Sequence, residues 1–183
     1  MSYTNSDLAK AFPAFLRDDA LQVVSVLPPP AWNTRTFSVY AGGEPISIPY
    51  RIYHDPALID ATNLTACHRE LLDCLLTRHH NGFIRERHLA GILSAQNEWI
   101  PPFVVQLVGE YVIEILNAVS RNLHHLDPHL YRSFLLENPR YFALTKQRVI
   151  SYWNCYYRRQ RRADYPGFRI VDFLERLATA DPG

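Results

Sequence analysis

The chain has 183 residues, 48% apolar and 20% charged, with a formal net charge of +1. That balance excludes disorder, which needs low hydrophobicity and high net charge, and it leaves no global field to steer the protein onto nucleic acid or anionic lipid. The length suits a single domain, 1–183, with a sizeable core.

Residues 6–27 read as one or two short helices. Ser6 is placed to cap the first, with Leu8, Ala11, Phe12 and Phe15 on one side. Asp18-Asp19 opens a second turn carrying Leu21, Val24 and Leu27. Pro28-Pro29-Pro30 stiffens the chain into an extended segment, and Trp32 is expected to anchor that segment onto the body. Over residues 36–53 the period becomes two: Phe37 and Val39 on one side of Ala41-Gly42-Gly43-Glu44, then Ile46, Ile48, Tyr50 and Ile52 on the other. This predicts a β-hairpin with a glycine turn. Pro45 and Pro49 cannot donate to a ladder, so the second strand belongs at an edge. A lone hairpin is marginal in water and must pack on helices or pair with something else.

From residue 55 the pattern is helical. Asp55-Pro56 predicts a capped short helix to about Ala61, and Thr65 caps the next, with Leu71, Leu72, Leu75 and Leu76 inward and a stop at Asn81-Gly82. A further helix spans about 83–93. The apolar set from Phe103 to Leu123, including Tyr111, Ile115 and Val119, reads as one unbroken helix over 101–123. Asp127-Pro128 and Asn138-Pro139 each start another, the latter running to about Arg162. Tyr165-Pro166-Gly167 is a turn before the last helix, 168–178.

The expected fold is mainly α: a helical bundle or short stack of helix pairs over 55–179, preceded by an N-terminal helical arm (1–35) and one β-hairpin. Thirteen prolines against seven glycines suit helices whose boundaries proline sets. Met1-Ser-Tyr-Thr-Asn-Ser-Asp lacks the basic-then-apolar pattern of a targeting segment, and no apolar run approaches the ~20 residues of a membrane span. Cys67, Cys74 and Cys155 show no C-x-x-C spacing, so free thiols and a cytoplasmic location are expected.

Two stretches, Gly82-Phe-Ile-Arg-Glu-Arg-His-Leu-Ala-Gly-Ile-Leu93 and Pro102-Phe-Val-Val-Gln-Leu-Val-Gly-Glu-Tyr-Val-Ile-Glu-Ile-Leu116, resemble HEAT-type helical repeats. Ile84-Arg85 sits where such a unit carries its apolar-Arg pair. Glu110 resembles the acid of the turn, and Ile115-Leu116 the following pair, with Leu116 in the arginine's place. The resemblance implies stacked helix pairs and a protein-binding scaffold.

Several clusters are candidates for chemistry. His79-His80 lies at the end of the second predicted helix, and His124-His125, with Asp127 and His129, offers imidazole and carboxylate of the kind that suits zinc or iron. Its spacing matches no established metal motif, and Asp127-Pro128 breaks the helix that would align His125 with His129. Both pairs fall at predicted helix C-termini, where the macrodipole alone favours them, so no metal or other cofactor is expected. Glu110 and Glu114, four apart on the predicted long helix, would share a face, with Arg85, Arg87 or Arg121 as partners. No Glu-x-x-His occurs, which removes a di-iron bundle, and no nucleophile elbow, phosphate loop or His-Glu-x-x-His is present. Cys67 and Cys74 read as small core residues on one helix face.

The segment Tyr156, Tyr157, Arg158, Arg159, Arg161 and Arg162 interleaves aromatics with arginines, the types enriched at interface hot spots. The leading expectation is a non-enzymatic, bacterial-type binding module (adaptor, regulator or immunity-type inhibitor) that meets a protein partner or a second copy of itself. A small metal-dependent or acid–base enzyme using the histidines and Glu110/Glu114 is the first alternative. Nucleic-acid binding through residues 156–162 is the second. No membrane association is expected.

Overall fold

The computed structural model describes residues 4–32 and 34–180; Met1, Ser2 and Tyr3 of the N-terminal stretch read above lie outside them. The architecture is mainly helical with one two-stranded hairpin. The contacts gather in two compact units, Met1–Ile92 and Leu93–Gly183.

In the first unit, α1 (Asn5–Leu8) opens at Thr4 and not at Ser6, because the Asp7 carboxylate accepts from the Thr4 N–H at 3.0 Å. Single 3-10 turns at Ala9–Ala11 and Ala14–Leu16 lead into α2 (Arg17–Ser25). Leu8, Ala11 and Phe12 are buried as their spacing predicts. Phe15 is exposed, since Pro13 interrupts the register that would have kept it on their side. Trp32 is also exposed, at 71%. The proline segment is held at its two ends: the Asn5 side-chain amide donates to Pro28 O at 3.1 Å, and Ala31 N–H donates to Tyr53 O at 3.0 Å.

The hairpin pairs β1 (Thr36–Ala41) with β2 (Glu44–Pro49), in the register Ala41↔Glu44, Val39↔Ile46 and Phe37↔Ile48. Gly42 and Gly43 take φ of 60° and 82°, the left-handed conformation that a two-residue type I′ turn demands at both positions. Such a turn makes Ala41 and Glu44 a hydrogen-bonded pair, so the alternate positions, Pro45 and Pro49, turn their nitrogens away from β1. The prolines therefore remove no ladder bond and instead strip donors from the outer edge of β2. The outer edge of β1 carries Thr36, Ser38 and Tyr40, with neither proline nor charge. Val39, Ala41, Ile46 and Ile48 are buried, and β2 packs on the first 3-10 turn.

Asp55 caps a single turn, Pro56–Leu58, by accepting from Ala57 N–H at 3.0 Å. Thr65 caps α3 (Ala66–Leu76) by accepting from His68 N–H at 3.2 Å. This helix ends at Leu76, where Thr77 bonds back to Cys74 O. Gly82, read above as a stop, begins α4 (Gly82–Ile92). Between them Ile52 forms a lone parallel bridge with His79. The fully buried Arg78 donates to Pro49 O, Tyr50 O and Thr77 O, at 3.3, 3.0 and 3.2 Å. It ties the end of the hairpin to the end of α3. Cys74 is buried there, and burial pushes its thiol pKa up; Cys67, in the first turn of α3, is exposed and so is no core residue.

The second unit contains α5 (Pro101–Val108), α6 (Ile113–Arg121), α7 (Pro128–Glu137), α8 (Pro139–Tyr152) and α9 (Pro166–Thr179). The helix expected over 101–123 is broken. Gly109 ends α5, Val112 is extended, and α6 starts afresh. A Cβ on Gly109 would lie 3.2 Å from Arg148 Cδ, so the glycine lets the end of α5 close on α8. Asp127 caps α7 through Oδ1, accepting from His129 and Leu130 N–H at 2.8 and 3.0 Å. The amphipathic α9 packs on α5, α6, α7 and α8, burying Ile170, Val171 and Leu174. Helix α8 stops at Tyr152, short of Arg162, and passes into a π-helical turn, Trp153–Tyr157. Among the described residues no helix is long and apolar enough to cross a membrane.

Candidate functional site

The basic-aromatic segment forms a surface on the second unit. The π turn presents Tyr156 outward while Trp153 and Tyr157 pack back on Phe168 and Tyr165. Tyr111, Tyr152 and Tyr156 form a cluster with ring centroids 5.8, 5.9 and 6.1 Å apart. Tyr156 is 66% exposed and Tyr111 51%. The Tyr157 hydroxyl donates to Tyr111 O at 2.9 Å and pins the π turn to the α5–α6 connection. Burial raises the pKa of that phenol, and the charge of Glu114 adds to the effect. Behind it Tyr165 stacks on Tyr157 with centroids 5.2 Å apart. Its hydroxyl is buried with no hydrogen-bond partner among the described residues, and burial pushes its pKa up to about 12.

The four arginines divide into two classes. Arg161 pairs with Asp164 through two bonds, Nε–Oδ2 at 2.8 Å and Nη2–Oδ1 at 3.2 Å, and this pairing holds the Asp164 carboxyl below its usual range. Arg162 lies 4.2 Å over the Phe168 ring. Arg158 and Arg159 are exposed, and among the described residues neither guanidinium has a hydrogen bond or ion pair. Beside Arg162 a pocket of about 350 Å³ runs between α8 and α9, lined by Val149, Ile150, Phe168 and Val171 and flanked by the Lys146–Glu175 ion pair at 2.8 Å.

The other predicted residues are placed differently. Glu110 is buried in the turn after α5, whereas Glu114 is exposed in the first turn of α6, so the two carboxylates share no helix face. The break at Gly109 separates them. Arg85 is buried in the first unit, with Nη1 donating to His79 O at 2.8 Å and His80 O at 2.9 Å. His124 and His125 lie in a 3-10 turn after α6 with their rings 3.9 Å apart, and Asp127 and His129 belong to the cap of α7. Among the described residues no group of three or more His, Cys, Asp or Glu side chains is gathered to hold a metal.

A second constellation escapes sequence reading. His79 does not serve the C-terminus of α3. Its Nε2 donates to His54 O at 2.8 Å, and its Nδ1 accepts from Asn81 N–H at 3.0 Å, which fixes a neutral tautomer. Burial lowers its pKa. His54, only 3% exposed, has Nε2 3.0 Å from Asn5 Oδ1. The Asn5 amide nitrogen donates to Leu27 O and Pro28 O at 2.9 and 3.1 Å, so its oxygen must face the imidazole and His54 Nε2 carries the hydrogen. His54 Nδ1 is then a bare lone pair, buried and without a partner among the described residues. These rings line a pocket of about 380 Å³ together with Trp32, Tyr53, Asp55 and His80. The His80 ring stacks on Tyr53 with centroids 5.2 Å apart. Nothing local marks His54 in the sequence; its partners stand 49 and 25 positions away.

No protein-family model matches the chain, and comparison with curated proteins and with solved structures gives no significant match.

Proposed function

We propose that the chain is a non-enzymatic protein-binding module, an adaptor, regulator or immunity-type inhibitor of the bacterial kind. On this reading the second unit's surface around Tyr111, Tyr156, Arg158 and Arg159 meets the partner. The observation that supports it most is the pairing of an exposed tyrosine cluster with two arginines that have no acidic partner among the described residues. Tyr and Arg contribute most to binding when a partner desolvates them, and side chains already committed within the fold, such as Arg161, have less to offer. The matching partner surface is acidic, with an apolar or planar group to cover Tyr156.

The experiment is recovery of partners from native lysate on immobilised full-length protein, repeated with Tyr156→Ala and with Arg158→Glu/Arg159→Glu. All of these positions are exposed, so the variants keep the fold. Loss of one specific protein in both variants supports the reading. Partner recovery that neither variant changes counts against this surface. Salt-sensitive retention of oligonucleotides by the same arginines would replace the protein partner with nucleic acid.

A further inference from the structure

Three segments of the first unit converge on the histidine pocket: 31–32, 53–56 and 79–84. Backbone bonds fix them to one another: Ala31 to Tyr53 at 3.0 Å, Ile52 to Arg78 at 2.9 Å and His80 to Ile52 at 3.0 Å. Arg78 and Arg85, both buried, hold the carbonyls of this framework from beneath. The pocket is therefore preformed, and its volume of about 380 Å³ falls within the usual range for small-ligand sites.

Its chemistry is one-sided. The Trp32 ring is 71% exposed at the rim, and the Tyr53–His80 stack supplies further π faces. His54 Nδ1 is a buried acceptor that nothing described fills. Asp55 is exposed and spends Oδ1 on Ala57 N–H, leaving Oδ2 uncommitted. Among the described residues that line the pocket there is neither lysine nor arginine, and Asp55 carries the one permanent charge. His79 adds no charge, because both of its ring nitrogens are engaged in the neutral form. A ligand for this pocket must bring donors, a positive charge and a surface that stacks.

We propose that the pocket binds a guanidinium group, stacked on Trp32 and Tyr53 and paired with Asp55. Guanidinium combines the three requirements: it is planar, carries five donors, and loses less hydration than an ammonium when laid on an aromatic ring. The source is either a free small-molecule cation or an arginine side chain presented by a polypeptide.

Calorimetric titration of the full chain distinguishes these, with agmatine as the free cation and an acetylated, amidated Gly-Arg-Gly peptide as the presented one. n-Butylamine and benzamide serve as the ammonium and neutral planar comparators. Saturable one-site binding of agmatine or the peptide is expected, the tighter of the two naming the source. It should weaken about tenfold in Trp32→Ala and in Asp55→Asn. Asparagine keeps the cap on the Pro56–Leu58 turn while removing the charge, so the loss would not come from unfolding. Absence of saturation by both guanidinium probes overturns the proposal. So does equal binding of n-butylamine or benzamide, or native affinity in both variants.

Discussion

His54 donates through Nε2 to Asn5 Oδ1 at 3.0 Å, which leaves its second ring nitrogen buried with no partner among the described residues. A proton added there gains no acceptor. Burial, with a smaller repulsion from His79, accordingly lowers the pKa of this imidazole from 6.5 to about 4. In the unfolded chain the same ring takes its proton near 6.5, so between these values the unfolded state binds more protons. Stability is fully present above pH 6.5 and falls as the pH drops towards 4, by on the order of 2–3 kcal/mol from this group. Urea unfolding at a series of pH values should show that slope, and His54→Gln should flatten it. An imidazole resonance for His54 titrating near 6.5 would contradict the assignment.

Arg78→Met should be among the most damaging substitutions in the first unit. It strands the buried carbonyls of Pro49 and Thr77, while Tyr50 O keeps Arg51 Nη1 as a donor at 2.6 Å. We expect a loss of at least about 3 kcal/mol, read as a lower urea midpoint at unchanged slope. Arg159→Met, on the surface, should stay within about 0.5 kcal/mol of the native protein.

The buried hydroxyl of Tyr165 offers the opposite case. It is desolvated without a described partner while its ring stays packed against Tyr157 and Phe168. Tyr165→Phe keeps the packing and removes the burden, so stability should be unchanged or rise by up to about 1 kcal/mol. A clear loss in thermal or urea unfolding would mean that the hydroxyl is satisfied.

At the hairpin turn, Gly43 has a φ of 82° and nothing within 4 Å of where a Cβ would lie. The cost of Gly43→Ala is thus conformational and not steric, about 1–2 kcal/mol. Gly43→Asn should cost less, since asparagine tolerates that backbone region. Melting temperatures of the two variants give the comparison directly.

Much of this fold is legible from local signals. Asp55-Pro56, Thr65 and Asp127-Pro128 cap where their side chains predict, because a cap needs only neighbouring N–H groups. Ala41-Gly42-Gly43-Glu44 gives the turn for the same reason. Period alone misleads where tertiary contact decides. Residues 101–123 keep a helical stripe, yet the chain breaks at Gly109, where a Cβ would come within 3.2 Å of Arg148 Cδ on α8. The arginine-rich end of α8 departs into a π turn that the composition does not announce. Tyr156, Arg158 and Arg159 were visible as a run, but which arginines remain uncommitted depends on Asp164 and Phe168. His54 was invisible because its significance comes from Asn5 and His79, far along the chain.

The hairpin's two borders are unlike. Pro45 and Pro49 leave β2 with few outward donors, while Thr36 and Ser38 keep theirs on β1. A strand can therefore dock on one side only. Fibril growth needs two receptive borders per subunit, so that each addition exposes a fresh template. Here the first addition consumes the template, and any edge-to-edge association through this hairpin terminates at a symmetric pair.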